Sequence, residues 1–541
     1  MADSSPLRVE NYSFRYHTRD QLALDNLNLS VNKGEILLIA GSSGCGKTTL
    51  MRSINGLIPQ TYRGEYEGDI KLFGKSVFDM EMMEISQTVG TVLQDPERQI
   101  VASYVFNEIA FGLENLGLPR QEILDRIDKI LDYLKISYLR DRETFQLSGG
   151  EKQKVVLAGV LAMHPKILLL DEPLASLDPA SALDSLHVVR KLADDGISVV
   201  IVEHRVEDVL KINPEKVLYM ENGKISYLGE TQGLLEVVDY TKIKLPASIV
   251  MDRAKGRKQT FFTPTKAAVG ENSKSPLVKF DDVSFRYGAD LPDVLKNINF
   301  TIYKKDIIAI LGHNGAGKTT LVKHTLGLLK PTKGNVFLEG KNTKEISVAQ
   351  SAHTIGYVFQ SPSQMLFAPT VEAELAFGPK NIGQSKEEIK NNIAWAIDTV
   401  NLKSELKTPP LALSFGQQKR VSIGSVLAMR SQVLMMDEPT AGQDYWNYQS
   451  FMDSILQMHG FDAVLFITHD VDLAVIYANR VLLLFDGRII ADGTPYEVLS
   501  DEDRLQKSRI LPTSLLRLNL EHHAQTQQFL RAEALAQIIN S

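Results

Sequence analysis

Gly41-Ser42-Ser43-Gly44-Cys45-Gly46-Lys47-Thr48-Thr49 follows the apolar run Glu35-Ile-Leu-Leu-Ile-Ala40 and leads into a helix-compatible stretch, Thr48 to Asn55. The order strand, glycine-rich loop, helix decides the fold class. Glycines let successive backbone N–H groups wrap an anionic phosphate, and the N-terminus of the following helix adds its positive end. Lys47 is placed to meet the β- and γ-phosphates of a nucleotide, and the Thr48 hydroxyl to ligate Mg²⁺. Cys45 occupies a variable slot in this loop and reads as a small filler.

Working outward, the pattern returns as Gly312-His313-Asn314-Gly315-Ala316-Gly317-Lys318-Thr319-Thr320, after Asp306-Ile-Ile-Ala-Ile-Leu311 and before the stretch Thr319 to Leu326. Lys318 and Thr319 take the same roles. Later landmarks recur in the same order at nearly the same spacing: Ser148 with Ser414, Asp171 with Asp437, His204 with His469. A chain written twice predicts two homologous halves. They are placed at residues 1–245 and 276–511. Residues 246–275 read as a linker, exposed from Met251 and bearing the basic run Lys255-Gly-Arg-Lys258. Residues 512–541 form a tail in which Leu515, Leu518, Phe529, Leu535 and Ile538 recur at loosely helical spacing, predicting that it packs on the second half. Its His522-His523 pair reads as a surface feature.

Ile167 to Leu170, Val199 to Val202, Val433 to Met436 and Val464 to Ile467 are short apolar runs with a carboxylate or histidine just after them. Continuous apolar strands belong to a parallel sheet covered on both faces, so the class is α/β. Leu168-Leu-Leu-Asp171-Glu172-Pro173 and Leu434-Met-Met-Asp437-Glu438-Pro439 put paired acids at such strand ends. Asp171 and Asp437 suit Mg²⁺ held through water, while Glu172 and Glu438 suit polarising the water that attacks a γ-phosphate. His204 and His469 are placed to contact that phosphate.

Composition bounds the alternatives. The 541 residues are 44% hydrophobic and 23% charged, which excludes disordered and fibrous classes. A net charge of −7 does not favour nucleic acid. One cysteine builds neither an internal disulfide nor a cysteine-rich metal site, and fits a reducing compartment. The N-terminus lacks the charge and apolar core of a signal peptide, and the longest apolar runs fall short of the roughly 20 residues that cross a bilayer. Any business with a membrane is expected to go through a partner.

Leu147-Ser148-Gly149-Gly150-Glu151 and Leu413-Ser414-Phe415-Gly416-Gln417 resemble the signature sequence of ATP-binding-cassette (ABC) ATPases. Gln94 and Gln360 look like that family's Q-loop glutamines, also counted among the Mg²⁺ contacts. Ser176-Leu-Asp178 and Gly442-Gln-Asp444 fall at its D-loops, and Tyr16 and Tyr287 look like its adenine-stacking aromatics. The resemblance implies two tandem cassettes, each with a mainly parallel core sheet, an antiparallel β portion and a helical subdomain. It also implies ATP and Mg²⁺ as ligands and ATP hydrolysis coupled to transport. The halves are then expected to pair head to tail, Ser414 and Gly416 completing the site of the first half, and Ser148, Gly149 and Gly150 that of the second. Glu151 departs mildly from the usual signature Gln, and Phe415 replaces a signature Gly.

The segments after the Q-loops, Gln94-Asp-Pro-Glu-Arg-Gln99 with Asn107 to Asn115 and Gln360 to Thr370 with Glu374 to Gly378, resemble energy-coupling-factor importers of cobalt, nickel and vitamins, including the hydroxymethylpyrimidine or thiamine branch. That implies an integral membrane coupling protein and a substrate-binding membrane component as partners, no nucleic acid, and a peripheral place on the cytoplasmic face of the membrane. The alternative is a soluble twin-cassette ATPase on ribosomes or DNA. Such proteins typically carry a long charged helical linker or cysteine-rich inserts, which this sequence lacks.

Overall fold

The structure is a computed structural model that describes residues 5–175, 177–255, 275–440, 445–457 and 460–539. The chain divides into two compact units, one containing Met1–Leu245 and the other Pro246–Gln443 and Asn447–Ser541.

In the first unit the strand Ile36–Gly41, buried along its whole length, lies inside a six-stranded sheet. Ser198–Val202 and Lys216–Glu221 flank it in parallel. Ile167–Asp171 and Val89–Val92 extend one side in parallel, and Lys224–Gly229 closes the other antiparallel. An all-apolar run suits an interior strand because neither face meets water. The antiparallel sheet Leu24–Val31, Leu7–Tyr16, Gly64–Leu72, Lys75–Ser76 packs against this one. Leu7, Phe14 and Leu27 share a single core with Leu37, Ile39, Leu50, Leu169 and Val200. A helical portion, Val105–Asn115, Arg120–Tyr133 and Gly149–Ala162, packs beside the outermost strand Val89–Val92.

The second unit repeats this order. Its six strands run Ile355–Val358, Val433–Asp437, Ala463–Ile467, Ile307–Leu311, Arg480–Phe485 and antiparallel Arg488–Gly493. Its four-stranded sheet is Leu295–Ile302, Val278–Phe285, Lys333–Leu338 and Lys341–Asn342. The α/β class and the division of each cassette into parallel, antiparallel and helical parts agree with the sequence reading. Among the described residues no helix is long and apolar enough to cross a membrane.

The reading of 246–275 as a linker needs correcting at its start. Ala247–Ala254 is a helix whose Ala247, Val250 and Ala254 are buried. It packs on the tail helices Ser514–Thr526 and Ala532–Ile539, and Ala247 N donates to Ser514 Oγ at 2.8 Å. The short side chains Ala247 and Ala254 allow this close approach. Of the basic run, Gly256 to Lys258 lie outside the described residues. In the tail Leu515, Phe529 and Leu535 are buried, whereas Ile538 is exposed. His523 stacks on Tyr496 with ring centroids 3.7 Å apart.

The tail grips the helix Val471–Tyr477, which starts two residues after His469. Thr513 Oγ1 donates to Asp472, and buried Arg531 donates to Asp453 and, at 2.8 Å, to the Tyr477 hydroxyl. Asp453 keeps 27% of its side chain exposed, so stranding it costs less than the roughly 3 kcal/mol of a fully buried pair. Arg531→Met should therefore lower the thermal transition of the second unit while that of the first stays in place. An unshifted melt would show that this grip contributes nothing.

Candidate functional site

The glycine-rich loops take the form the sequence requires. Gly46 and Gly317 precede their helices, Lys47–Ile54 and Lys318–Thr325, at φ 109° and 98°. A Cβ on Gly46 would stand 2.6 Å from Ala23 O, so both conformation and space demand glycine. Neither helix start carries a side-chain cap, leaving its N–H groups to a ligand. Lys47 Nζ donates to Gly41 O at 2.8 Å and Ser42 O at 2.9 Å. Lys318 Nζ meets Gly312 O and His313 O at 2.8 and 3.0 Å. Each ammonium thus rests inside the curl of its own loop, where phosphate oxygens would take over from the carbonyls. Cys45 is buried, its Sγ 3.9 Å from Lys47 Nζ, consistent with a filler.

The acid pairs stand at the ends of Ile167–Asp171 and Val433–Asp437, one strand away from the loop strand. Glu172 and Glu438 turn out of their strands at φ 48° and 47°, a left-handed conformation costly for a side chain. Their N–H groups donate to Val202 O at 2.9 Å and Ile467 O at 3.0 Å, which fixes that turn. The histidines meet the acids directly: His204 Nε2 lies 3.1 Å from Glu172 Oε1, and His469 Nε2 lies 3.0 Å from Glu438 Oε1. The second contact is poorly aligned. Among the described residues, buried Glu438 Oε1 and His469 Nδ1 have no hydrogen-bond partner.

Burial, reinforced by neighbouring Glu172, pushes the Asp171 carboxyl up to about 6. Asp437 is raised for the same reasons, burial first and then Glu438. Burial would also raise Glu438, but His469 and Lys318 outweigh it and hold Glu438 below the usual carboxylate range. Thr319 Oγ1 donates to Asp437 Oδ2 at 2.8 Å. A hydroxyl and a carboxylate beside the phosphate loop are hard oxygen donors that fit Mg²⁺, which takes few protein ligands and keeps waters and phosphate oxygens. Thr319 with Asp437 would hold it in the second unit, and Thr48 with Asp171 in the first; a bound ion would supply charge neutralisation at the phosphates.

Gln94 Nε2 donates to Glu172 Oε2 at 2.7 Å, tying the Q-loop to the acid rather than leaving it toward an ion. Gln360 is exposed and, among the described residues, forms no hydrogen bond to Glu438. The hydroxyls of Tyr16 and Tyr287 lie 3.1 Å from Thr49 Oγ1 and Thr320 Oγ1, which fixes each ring beside its loop; Tyr287 is 56% exposed, as a stacking platform needs.

Ser148 and Ser414 cap the helices Gly149–Ala162 and Phe415–Met429 in capping boxes with Glu151 and Gln417. The box needs only an acceptor oxygen at its third position, which explains why Glu151 substitutes mildly. Ser176, residues 441–444 of the second D-loop and the Phe415 side chain lie outside the described residues. Asp178 caps the helix Pro179–Asp194 through Ser181 N at 3.0 Å.

Sequence reasoning missed three buried groups. Tyr357 donates to Asp437 Oδ2 at 3.0 Å where the first half has Thr91. Lys419, fully buried, donates to Glu438 O at 2.6 Å where the first half has Gln153. Glu203 accepts from Leu174 N at 2.8 Å and His204 N at 2.9 Å where the second half has Thr468. Comparing the halves position by position would have found all three. Burial, with Glu172 adding, raises Glu203 to about 7; burial lowers Lys419 to about 8 against the opposing pull of Glu438 and Asp437.

Because the Asp171 carboxyl titrates higher in the folded protein than in the unfolded chain, the folded state binds more protons in between, and stability falls as pH rises toward about 6. In protein free of nucleotide and Mg²⁺, Asp171→Asn should raise the melting temperature by about 3 °C near pH 7 and leave it unchanged near pH 4. A gain of equal size at both pH values would refute the electrostatic account.

Residues 24–175 and 295–441 match the ABC transporter family. A protein of Methanosarcina mazei is 34% identical over 95% of this chain and 93% of its own length. Relatives from Clostridium perfringens and Streptococcus pneumoniae are 35% and 36% identical, covering 95% and 94% of this chain and the same shares of themselves. All three are provisionally described as ABC transporter ATP-binding proteins. Among solved structures, cbiO1 from Clostridium perfringens, described as part of the ABC transporter complex cbiONQ, is 32% identical, covering 47% of this chain and 100% of that one with a TM-score of 0.40. With both halves matched and relatives aligned over nearly its whole length, the chain belongs to the ABC transporter family, as an ATP-binding protein with two ABC domains whose ATP hydrolysis is coupled to transport.

Proposed function

We propose that this protein drives an importer of the energy-coupling-factor type for a vitamin, a vitamin precursor or a metal ion, working at the cytoplasmic face of the membrane. Its partners are an integral coupling protein and a substrate-binding membrane component. One observation carries the reading: the segments after Gln94 and Gln360, whose sequences set the importer resemblance, bear large apolar side chains in water. Val101, Tyr104 and Phe111 are exposed in the first unit, as are Phe367 and Phe377, with ring centroids 4.7 Å apart, in the second. Exposed aromatic clusters of this kind suit partner helices.

The two domains pair head to tail around two Mg-ATP. Gly41 to Thr49, Gln94, Asp171, Glu172 and His204 meet Ser414 and Gly416 at one site. Gly312 to Thr320, Gln360, Asp437, Glu438 and His469 meet Ser148, Gly149 and Gly150 at the other. Glu172 and Glu438 accept a proton from the attacking water, while the histidines hold their acids in place and meet the γ-phosphate. ATP favours the closed pair, and hydrolysis removes the contacts that favoured it.

The double variant Glu172→Gln, Glu438→Gln should lose at least about 100-fold in steady-state ATPase, the scale of a general base, with ATP still bound. Turnover near wild type would remove both residues from the chemistry. Purified in mild detergent, the chain should bring integral membrane proteins with it, and Phe111→Asp with Phe377→Asp should release them without loss of ATP binding. Ribosomes or DNA in their place would favour the soluble alternative.

A further inference from the structure

The two halves share the loop lysine, both threonines, the acid pair and the histidine, yet beneath the acid pairs they exchange a buried charge. Beside Glu438 the second unit places Lys419, whose ammonium lies 2.6 Å from the Glu438 carbonyl oxygen and is wholly shielded from water. The residue before His469 is neutral Thr468, its hydroxyl accepting from Asp470 N at 3.0 Å. In the first unit the position of Lys419 is held by neutral Gln153, which donates to Pro173 O. The residue before His204 is Glu203, 2% exposed, a further carboxyl group that feels both Glu172 and Arg205. One acid loop therefore meets an ammonium and the other a neutral amide, and the histidine loops differ as well, Glu203 with the Arg205 guanidinium acting on it standing where the second unit has Thr468 and Asp470, in surroundings where charges interact strongly.

These groups also hold backbone. Glu203 Oε1 accepts from Leu174 N, and Oε2 from His204 N at 2.9 Å and Arg205 N at 3.2 Å, binding the loop after the acid pair to the loop of the histidine. Lys419 reaches the same loop in the second unit from the helix Phe415–Met429. Neither touches a place where nucleotide is expected. Each acts through the acid beside it.

The geometry points to Lys419 and Glu203 as positioning residues that make the two hydrolytic centres unequal, the centre of Glu438 being the faster. Charge developing on the transferring phosphoryl oxygens is stabilised by nearby fixed cations and opposed by nearby acids. A lysine held against the Glu438 carbonyl adds a fixed positive charge behind the acid, whereas the corresponding side chain in the first unit, Gln153, is neutral and Glu203 adds a carboxyl group partnered by Arg205. This rests on the reading of Glu172 and Glu438 as the residues that activate water.

The test uses the full chain with one centre disabled at a time. Glu172→Gln leaves the second centre, Glu438→Gln the first, and the former variant should turn over ATP about tenfold faster, less than a donor in direct contact with the developing charge supplies. Exchanging the buried groups should then move the rates. In the Glu438→Gln background, Gln153→Lys with Glu203→Thr should raise kcat toward that of the other centre. In the Glu172→Gln background, Lys419→Gln with Thr468→Glu should lower it, and Lys419→Arg should preserve it. KM, equilibrium ATP affinity and melting temperature should stay within about twofold or a few degrees, separating a positioning effect from damage to the fold; the gain in the first exchange is one that misfolding cannot mimic. Equal rates in the two starting variants, exchanges that leave their ratio unchanged, or loss of all turnover in both would overturn the inference. Failure of the underlying assignment is distinct, appearing as residual turnover when both acids are removed together.

Discussion

Each nucleotide site depends on an ammonium group kept from water. Lys47 and Lys318 are buried, and a buried cation persists only when its N–H groups find acceptors. The loop carbonyls supply them, which requires the chain to curl tightly between the buried strand and the helix. That curl places Gly41 so near Met220 that a Cβ would lie 2.4 Å from its carbonyl oxygen. The strand before it sits inside the sheet, with the acid strand one position beyond its neighbour. Glycine placement follows from housing one lysine.

Much of this was legible because the housing is local. Buried strands Ile36–Gly41 and Ile307–Leu311 are short apolar runs, and the residues they feed are constrained by conformation and by phosphate chemistry. Ala247–Ala254 was not legible: it is short, it runs into the polar stretch that begins at Met251, and its helix is held by burial against tail helices more than 250 residues away along the chain. Arg531 was missed for a related reason. An arginine in a tail reads as surface until its partners Asp453 and Tyr477 are seen to come from two other helices.

Site residues divide along the same line. Lys47, Asp171 and Glu172 belong to motifs whose spacing carries their chemistry. Lys419, Glu203 and Tyr357 serve the site from behind, reaching it by way of the fold, and a single half gives no reason to notice them. The duplication supplies the missing control, since two copies of one architecture expose the positions at which they differ. Three such differences fall within hydrogen-bond reach of the acid pairs or of the loops that follow them.

One link is common to both units despite these exchanges. The signature helix is joined in each case to the acid-pair loop of its own half, by Gln153 to Pro173 O in the first and by Lys419 to Glu438 O in the second. A shift of that helix would bear directly on the acid of its own half, through one side chain and one carbonyl oxygen. The connection needs no long relay of residues: a helix of 14 or 15 residues is stiff, and its fifth position is already at the acid loop. Because one link ends in a neutral amide and the other in an ammonium, the two links carry different strengths, hydrogen bonds from a charged donor being roughly twice as strong as neutral ones.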